Sequence, residues 1–104
     1  MKVKICKTLI SQIRGLMFSR KKNLVFVYDK PTLVDLHMLF VFFPIDALYI
    51  NDGRIVEIKH MKPFRGTYKA KHYATSVVEL SEKHSFSVGN KVIIKENEFY
   101  KVEK

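Results

Sequence analysis

The residues best placed to do chemistry bracket an apolar run, His37-Met38-Leu39-Phe40-Val41-Phe42-Phe43-Pro44-Ile45-Asp46. A carboxylate within such a run must be paired or hydrogen-bonded, because burying it alone costs several kcal/mol. Asp46 therefore either accepts from backbone N–H groups beside Pro44, pairs with an arginine, or meets a ligand. His37 is either its acid–base or ligand-binding companion or a structural histidine at a sheet edge. The two lie nine positions apart, about 30 Å if the chain stays extended, so only a bend near Phe42–Pro44 brings them together. On that reading Phe42 and Pro44 form the wall of a small pocket holding Asp46 and His37. Other chemistry lacks its signature. No Gly-x-Ser-x-Gly elbow or phosphate-cradling loop occurs, the histidines at 37, 60, 72 and 84 show no metal-ligand spacing, and Cys6 is the one cysteine. We expect no metal, no cofactor and no assigned catalytic residue.

A second constellation runs from Lys59 to Tyr73, where Lys59, Lys62, Arg65, Lys69 and Lys71 alternate with Phe64, Tyr68 and Tyr73. Single-strand nucleic-acid binders use this mixture, bases tracking phosphates and rings stacking on nucleobases. Lys59, Lys62, Phe64, Arg65, Tyr68, Lys69 and Lys71 are the candidates. The alternative is a solvated lysine-rich loop whose aromatics turn inward to cap a sheet.

The net charge of +9 arises from two windows. Residues 1–28 carry seven basic side chains and no acid, and residues 58–78 carry five and no acid. Brought together, they would form a positive face attractive to polyanions. A single cysteine excludes an intrachain disulfide. The apolar run is shorter than the ~20 residues that cross a bilayer, and the charged N-terminus lacks a signal-peptide core. The expectation is a cytoplasmic protein without membrane contact, a monomer or weak homodimer.

The elements that must position these residues are short. Residues 1–104 form one domain, large enough for a single core. Val3, Ile5 and Leu9 point to a first strand. Ser11 would cap a short helix burying Ile13, Leu16 and Met17, with Gly15 in close packing. Leu24–Tyr28 has strand character, and Asp29-Lys30-Pro31 signals a turn. The central run is apolar on both parities, as in a strand buried on both faces, or else bends near Phe42–Pro44. Asn51-Asp52-Gly53 is a hairpin loop between Ile45–Ile50 and Arg54–His60. An irregular stretch from Met61 to Tyr73 precedes strands at Ser76–Leu80, Lys91–Lys95 and Glu98–Val102. The fold class is mainly β, a compact sandwich or small barrel with one short N-terminal helix.

Gly15-Leu16-Met17-Phe18, His37-Met38 leading to Phe43-Pro44-Ile45-Asp46, Pro63, Glu79-Leu80 and Val88-Gly89 together resemble domain-of-unknown-function family 192. It is also known as uncharacterised protein family 0127, and the likeness is to its archaeal members. The resemblance spans residues 3–95. It implies a compact β-rich fold with a short N-terminal helix, and no known activity. Met38-Leu39-Phe40-Val41 replaces a polar stretch seen in many members, and Gly89-Asn90 replaces Gly-Asp, so polar roles at those places do not transfer. Three functions follow from the residues. The first is a non-catalytic module binding a small ligand or protein near Phe42, Pro44 and Asp46, with Lys62 and Arg65 as a basic rim. The second is binding of RNA or single-stranded nucleic acid through the basic-aromatic segment. The third is an enzyme using Asp46 and His37 as acid–base groups.

Overall fold

The computed structural model describes residues 1–6, 23–38, 41–63 and 66–102. The short helix expected from Ser11, the residues Phe64 and Arg65, and the side chain of His37 lie outside the described residues.

The main sheet has five strands: β1 (Lys4–Cys6), β2 (Leu24–Thr32), β4 (Ile45–Asn51), β5 (Arg54–Met61) and β7 (Ala74–Leu80). Their spatial order is β1-β2-β7-β4-β5. β1 runs parallel to β2, and the other neighbours are antiparallel. Two small sheets complete the described structure. One pairs β3 (Asp35–His37) with β6 (Thr67–Lys69), the other β8 (Val92–Lys95) with β9 (Glu98–Lys101). The described residues are mainly β and hold no helix. The five strands form an open mixed sheet.

Each face of that sheet supports its own core, which explains why β4 and β7 are apolar on both parities. On one face Leu24, Phe26, Ala47, Tyr49 and Val77 pack against Val34, Leu36, Met38 and Ala70 from around β3 and β6. On the other, Val25, Leu48, Ile50, Ile55, Val78 and Leu80 meet Val3, Val92 and Phe99. That second cluster is also sealed by the first residues of the chain, since Val3 N–H donates to the Asn97 carbonyl and Phe99 N–H to that of Met1.

Several expectations change. The main sheet is open where a sandwich or small barrel was expected, and the stretch from Met61 to Tyr73, expected to be irregular, contains β6. The described residues of the run from Met38 to Phe43 are not in a strand: Met38 and residues 41–44 are irregular and lie between β3 in one sheet and β4 in another. Met38 and Val41 are buried, whereas Phe42 is 58% exposed. The Asp29-Lys30-Pro31 signal does not end β2, which continues to Thr32. It instead breaks the pairing with β7, whose register jumps from Val27↔Ser76 to Thr32↔Ala74. A proline cannot donate to a ladder, so the excursion falls where no ladder bond is needed.

The hairpin at Asn51–Arg54 turns as expected, with positive φ at Asp52 (54°) and Gly53 (73°), the conformation two-residue loops require. β5 then carries a bulge. Pairing runs Ile50↔Ile55 near the turn but Tyr49↔Glu57 beyond it, so Val56 is the extra residue. Every side chain after Val56 is thereby moved one place relative to β4.

Candidate functional site

The bulge creates the site. It sets His60 opposite Asp46 across β4 and β5, so both project from the same face of the sheet. His60 Nδ1 lies 2.6 Å from Asp46 Oδ1. Since a carboxylate only accepts, Nδ1 carries the proton and, in the neutral ring, Nε2 is left as an acceptor. His84, in the segment after β7, places Nε2 2.6 Å from Asp46 Oδ2. Its other nitrogen, Nδ1, accepts from Phe86 N–H at 3.1 Å, which fixes the tautomer. The ring of His84 stacks near Phe86 (5.6 Å between centroids) and Phe86 near Phe99 (4.6 Å). An aromatic ladder thus roots His84 in the core.

The two imidazoles differ in access. The His84 side chain is 9% exposed and that of His60 60%. Burial pushes the Asp46 carboxyl up, but hydrogen bonds from His60 and His84, with their charge, outweigh it and hold it below the usual carboxylate range. The three residues border a cleft of about 480 Å³ with a partly apolar wall of Pro44, Ile45 and Leu80 and with Ser81, Glu82 and Lys83 on its rim. Among the described residues no cluster is arranged to hold a metal ion. The nitrogens facing Asp46 are spent on its oxygens.

His60 also borders a second depression of about 360 Å³ at the C-terminal end of β5 and the start of β6, with Lys59, Met61, Lys62, Thr67 and Tyr68. Lys59 Nζ stands 5.1 Å from the centroid of the Tyr68 ring, a cation–π contact. Behind this groove, the Glu57 carboxylate accepts from the Tyr68 hydroxyl, from Lys71 N–H (2.9 Å), and from His72 N–H (3.1 Å) and Nδ1 (3.0 Å). Burial raises its pKa, yet these donors more than reverse that and hold it below the usual range. The same bond, with Tyr68 donating, raises the Tyr68 hydroxyl. Glu57 thus staples the turn after β6 to the main sheet.

The residues singled out from sequence are distributed as follows. Asp46 and Pro44 line the cleft. Phe42 is exposed nearby in sequence but does not line it. His37 sits in β3, paired with Thr67 in the other sheet, and Asp46 has His60 and His84 as partners instead. Lys59, Lys62 and Tyr68 share the groove. Lys69 is exposed and sits opposite Asp35, and Lys71 is exposed with its backbone N–H on Glu57. His60, His84, Glu57 and His72 were not foreseen.

The described residues form a small, mainly β protein in which a carboxylate is clamped between two histidines. Comparison with known sequences then places it: the profile of domain-of-unknown-function family 192, "Uncharacterized ACR", matches residues 1–94, and the chain belongs to that family. A protein of uncharacterised family 0127 from Thermococcus sibiricus is 32% identical over 83 residues, covering 75% of this chain and 53% of the relative. One from Thermococcus kodakarensis is 34% identical over 83 residues, covering 75% and 52%. The chain thus spans about half the length of the curated relatives it matches. The crystal structure of a protein of unknown function from Novosphingobium aromaticivorans superposes with a TM-score of 0.70 at 21% identity, covering 76% of this chain and 61% of that one. That likeness is one of fold.

Proposed function

We propose that this chain is a non-catalytic binding module whose ligand, a small hydroxyl-rich molecule, occupies the cleft over Asp46. One observation carries the reading: a carboxylate held by two imidazoles orients His60 so that its exposed Nε2 is an acceptor at the cleft mouth. A ligand hydroxyl donates to that nitrogen. Lys83 brings a donor and Glu82 an acceptor to the same cleft, and Pro44, Ile45 and Leu80 offer an apolar wall to the ligand's C–H groups. Mixed lining of this kind, apolar walls with a few fixed polar groups, is typical of small-molecule sites.

The test is Asp46→Asn. Asparagine can still accept from His84, whose tautomer is locked by Phe86. Its amide N–H₂ must then donate to His60 Nδ1, which moves the His60 proton to Nε2 and turns an acceptor into a donor. With ribose 5-phosphate as probe, NMR titration of the parent should shift the amides of residues 44–46, 60 and 81–84. In Asp46→Asn the affinity should fall about ten-fold, equivalent to about 1.4 kcal/mol, while the melting temperature changes little. Shifts confined to other parts of the surface, or an unchanged affinity in the variant, would overturn the assignment.

A further inference from the structure

We infer that the ligand of this site is single-stranded RNA, with one ribose in the cleft and the flanking phosphates on the neighbouring lysines. The inference rests on the cleft reading above and extends it. Its ground is the position of His60, which borders both the cleft and the β5–β6 groove. A ligand that fills only the cleft leaves the groove unexplained, whereas a linear one crosses from one to the other over the imidazole.

The two depressions carry complementary chemistry. Lys59 and Lys62 line the groove and Lys83 the cleft, so a basic side chain stands on each side of His60. Lys69 and Lys71 are exposed on and just after β6. Thr67 adds a hydroxyl to the groove, and Lys59 is held against the Tyr68 ring, which limits the entropy lost when it meets an anion. Asp46, the acid beneath the crossing point, has both oxygens covered by imidazoles, which reduces its repulsion of a phosphate. A backbone with regularly spaced anions suits this track, and a salt-dependent affinity follows from it.

His60 supplies the distinction between nucleic acids. With Nδ1 committed to Asp46, the neutral ring offers Nε2 only as an acceptor, and a ribose 2′-hydroxyl is a donor that deoxyribose lacks. The 2′-hydroxyl is the group by which proteins separate RNA from DNA. Acidic peptides share the charge but lack the sugar hydroxyl; sulfated polysaccharides carry both, and competition by heparin separates them from RNA.

The experiment measures fluorescence anisotropy of labelled twelve-residue oligouridylate and its deoxy counterpart across a salt series. Each folded variant is first checked by its melting curve. The parent should prefer RNA about five-fold, the yield of one hydrogen bond. Lys59→Gln with Lys62→Gln should weaken RNA and DNA alike and reduce the slope of log affinity against log salt by about 1.4, from about 0.7 per phosphate contact. His60→Ala should erase the preference for RNA and keep the slope. Lys95→Gln, a single charge loss on β8, should change neither. Equal affinity for RNA and DNA in the parent overturns the inference, as does competition by heparin equal to that by unlabelled RNA. An effect of Lys95→Gln equal, per charge removed, to that of the groove lysines would do so as well. If ribose 5-phosphate shifts the cleft amides but oligouridylate does not bind, the RNA assignment falls and the cleft reading stands. If RNA binds through the lysines with no response at His60 or the cleft, the RNA assignment falls, and the cleft reading falls with it only if ribose 5-phosphate also leaves the cleft amides unshifted.

Discussion

Replacing Glu79 by Gln should leave stability unchanged at pH 4 and raise it by up to about 5 kcal/mol at pH 8. Glu79 occupies the middle strand of the main sheet, between Leu24 and Ala47, and is only 6% exposed. Burial pushes its carboxyl from the ordinary 4.5 up to about 8. Between those values the folded chain keeps the proton that the unfolded chain releases. The stabilisation is complete below pH 4.5 and is lost as pH rises toward 8, at about 1.4 kcal/mol per pH unit. Gln mimics the protonated acid and does not titrate. Urea midpoints of the two proteins, measured from pH 4 to pH 9, should therefore coincide at the acid end and diverge steadily above pH 4.5. Parallel curves would show that Glu79 is ionised in the fold. The nearby tyrosines report the same environment, since burial, with the Glu79 charge, pushes Tyr28 up to about 12. The fully buried Tyr49, whose hydroxyl has no hydrogen-bond partner among the described residues, is raised as well.

Glu57→Ala should be destabilising by about 3 kcal/mol, and Glu57→Gln by about 1 kcal/mol. The alanine variant strips the acceptor from the amides of Lys71 and His72 and from the Tyr68 hydroxyl at once, and hydrogen bonds to a charged group are worth about 1.5–3 kcal/mol. Gln keeps one oxygen for the two amides, while Tyr68, which can accept as well as donate, adapts to the new N–H₂. Hydrogen exchange should locate the damage: the amides of Lys71 and His72 should lose protection in the alanine variant while those of β7 keep theirs. Uniform loss across the sheet, or none, would refute the staple. The pH dependence has the opposite sign to that of Glu79. A carboxyl held below its usual range adds stability above about pH 4.5, and that contribution disappears as acid protonates it.

How much of this was legible beforehand depends on which physical rule governs each residue. The hairpin at Asn51-Asp52-Gly53 was, because positive φ at two successive residues admits few residue types. Asp46 was, because an acid in an apolar run is an anomaly wherever it occurs. Its partner was not. Counting outward from the two-residue loop sets Asp46 opposite Lys59, and only the extra residue at Val56 brings His60 there instead. Bulges leave little trace in a single sequence, since they reflect a balance of twist and packing and not a residue type. His84 was hidden for another reason: it belongs to the irregular segment after β7, where no periodicity relates sequence to position. The run from Met38 to Phe43 misled because apolar residues on both parities fit a connection between sheets, anchored here by the buried Met38 and Val41, as well as they fit a strand. The fold class needed only composition and turn chemistry, whereas the site needed register.

The clasp between the two ends of the described chain has a consequence for the order in which the protein assembles. Phe99, fully buried, completes the cluster that also contains Val3, Val25 and Leu48, and its N–H reaches back to the carbonyl of Met1. During synthesis the first core can close around β2, β4 and β7 while the second still lacks its keystone. Until residue 99 leaves the ribosome, Leu48, Ile50, Val78 and Leu80 lack the cover that Phe99 gives them. Contacts of such long sequence separation are slow to form, and exposed faces of this kind are where nascent chains aggregate. The β8–β9 hairpin, which carries Phe99, is thus the last described element to reach that cluster.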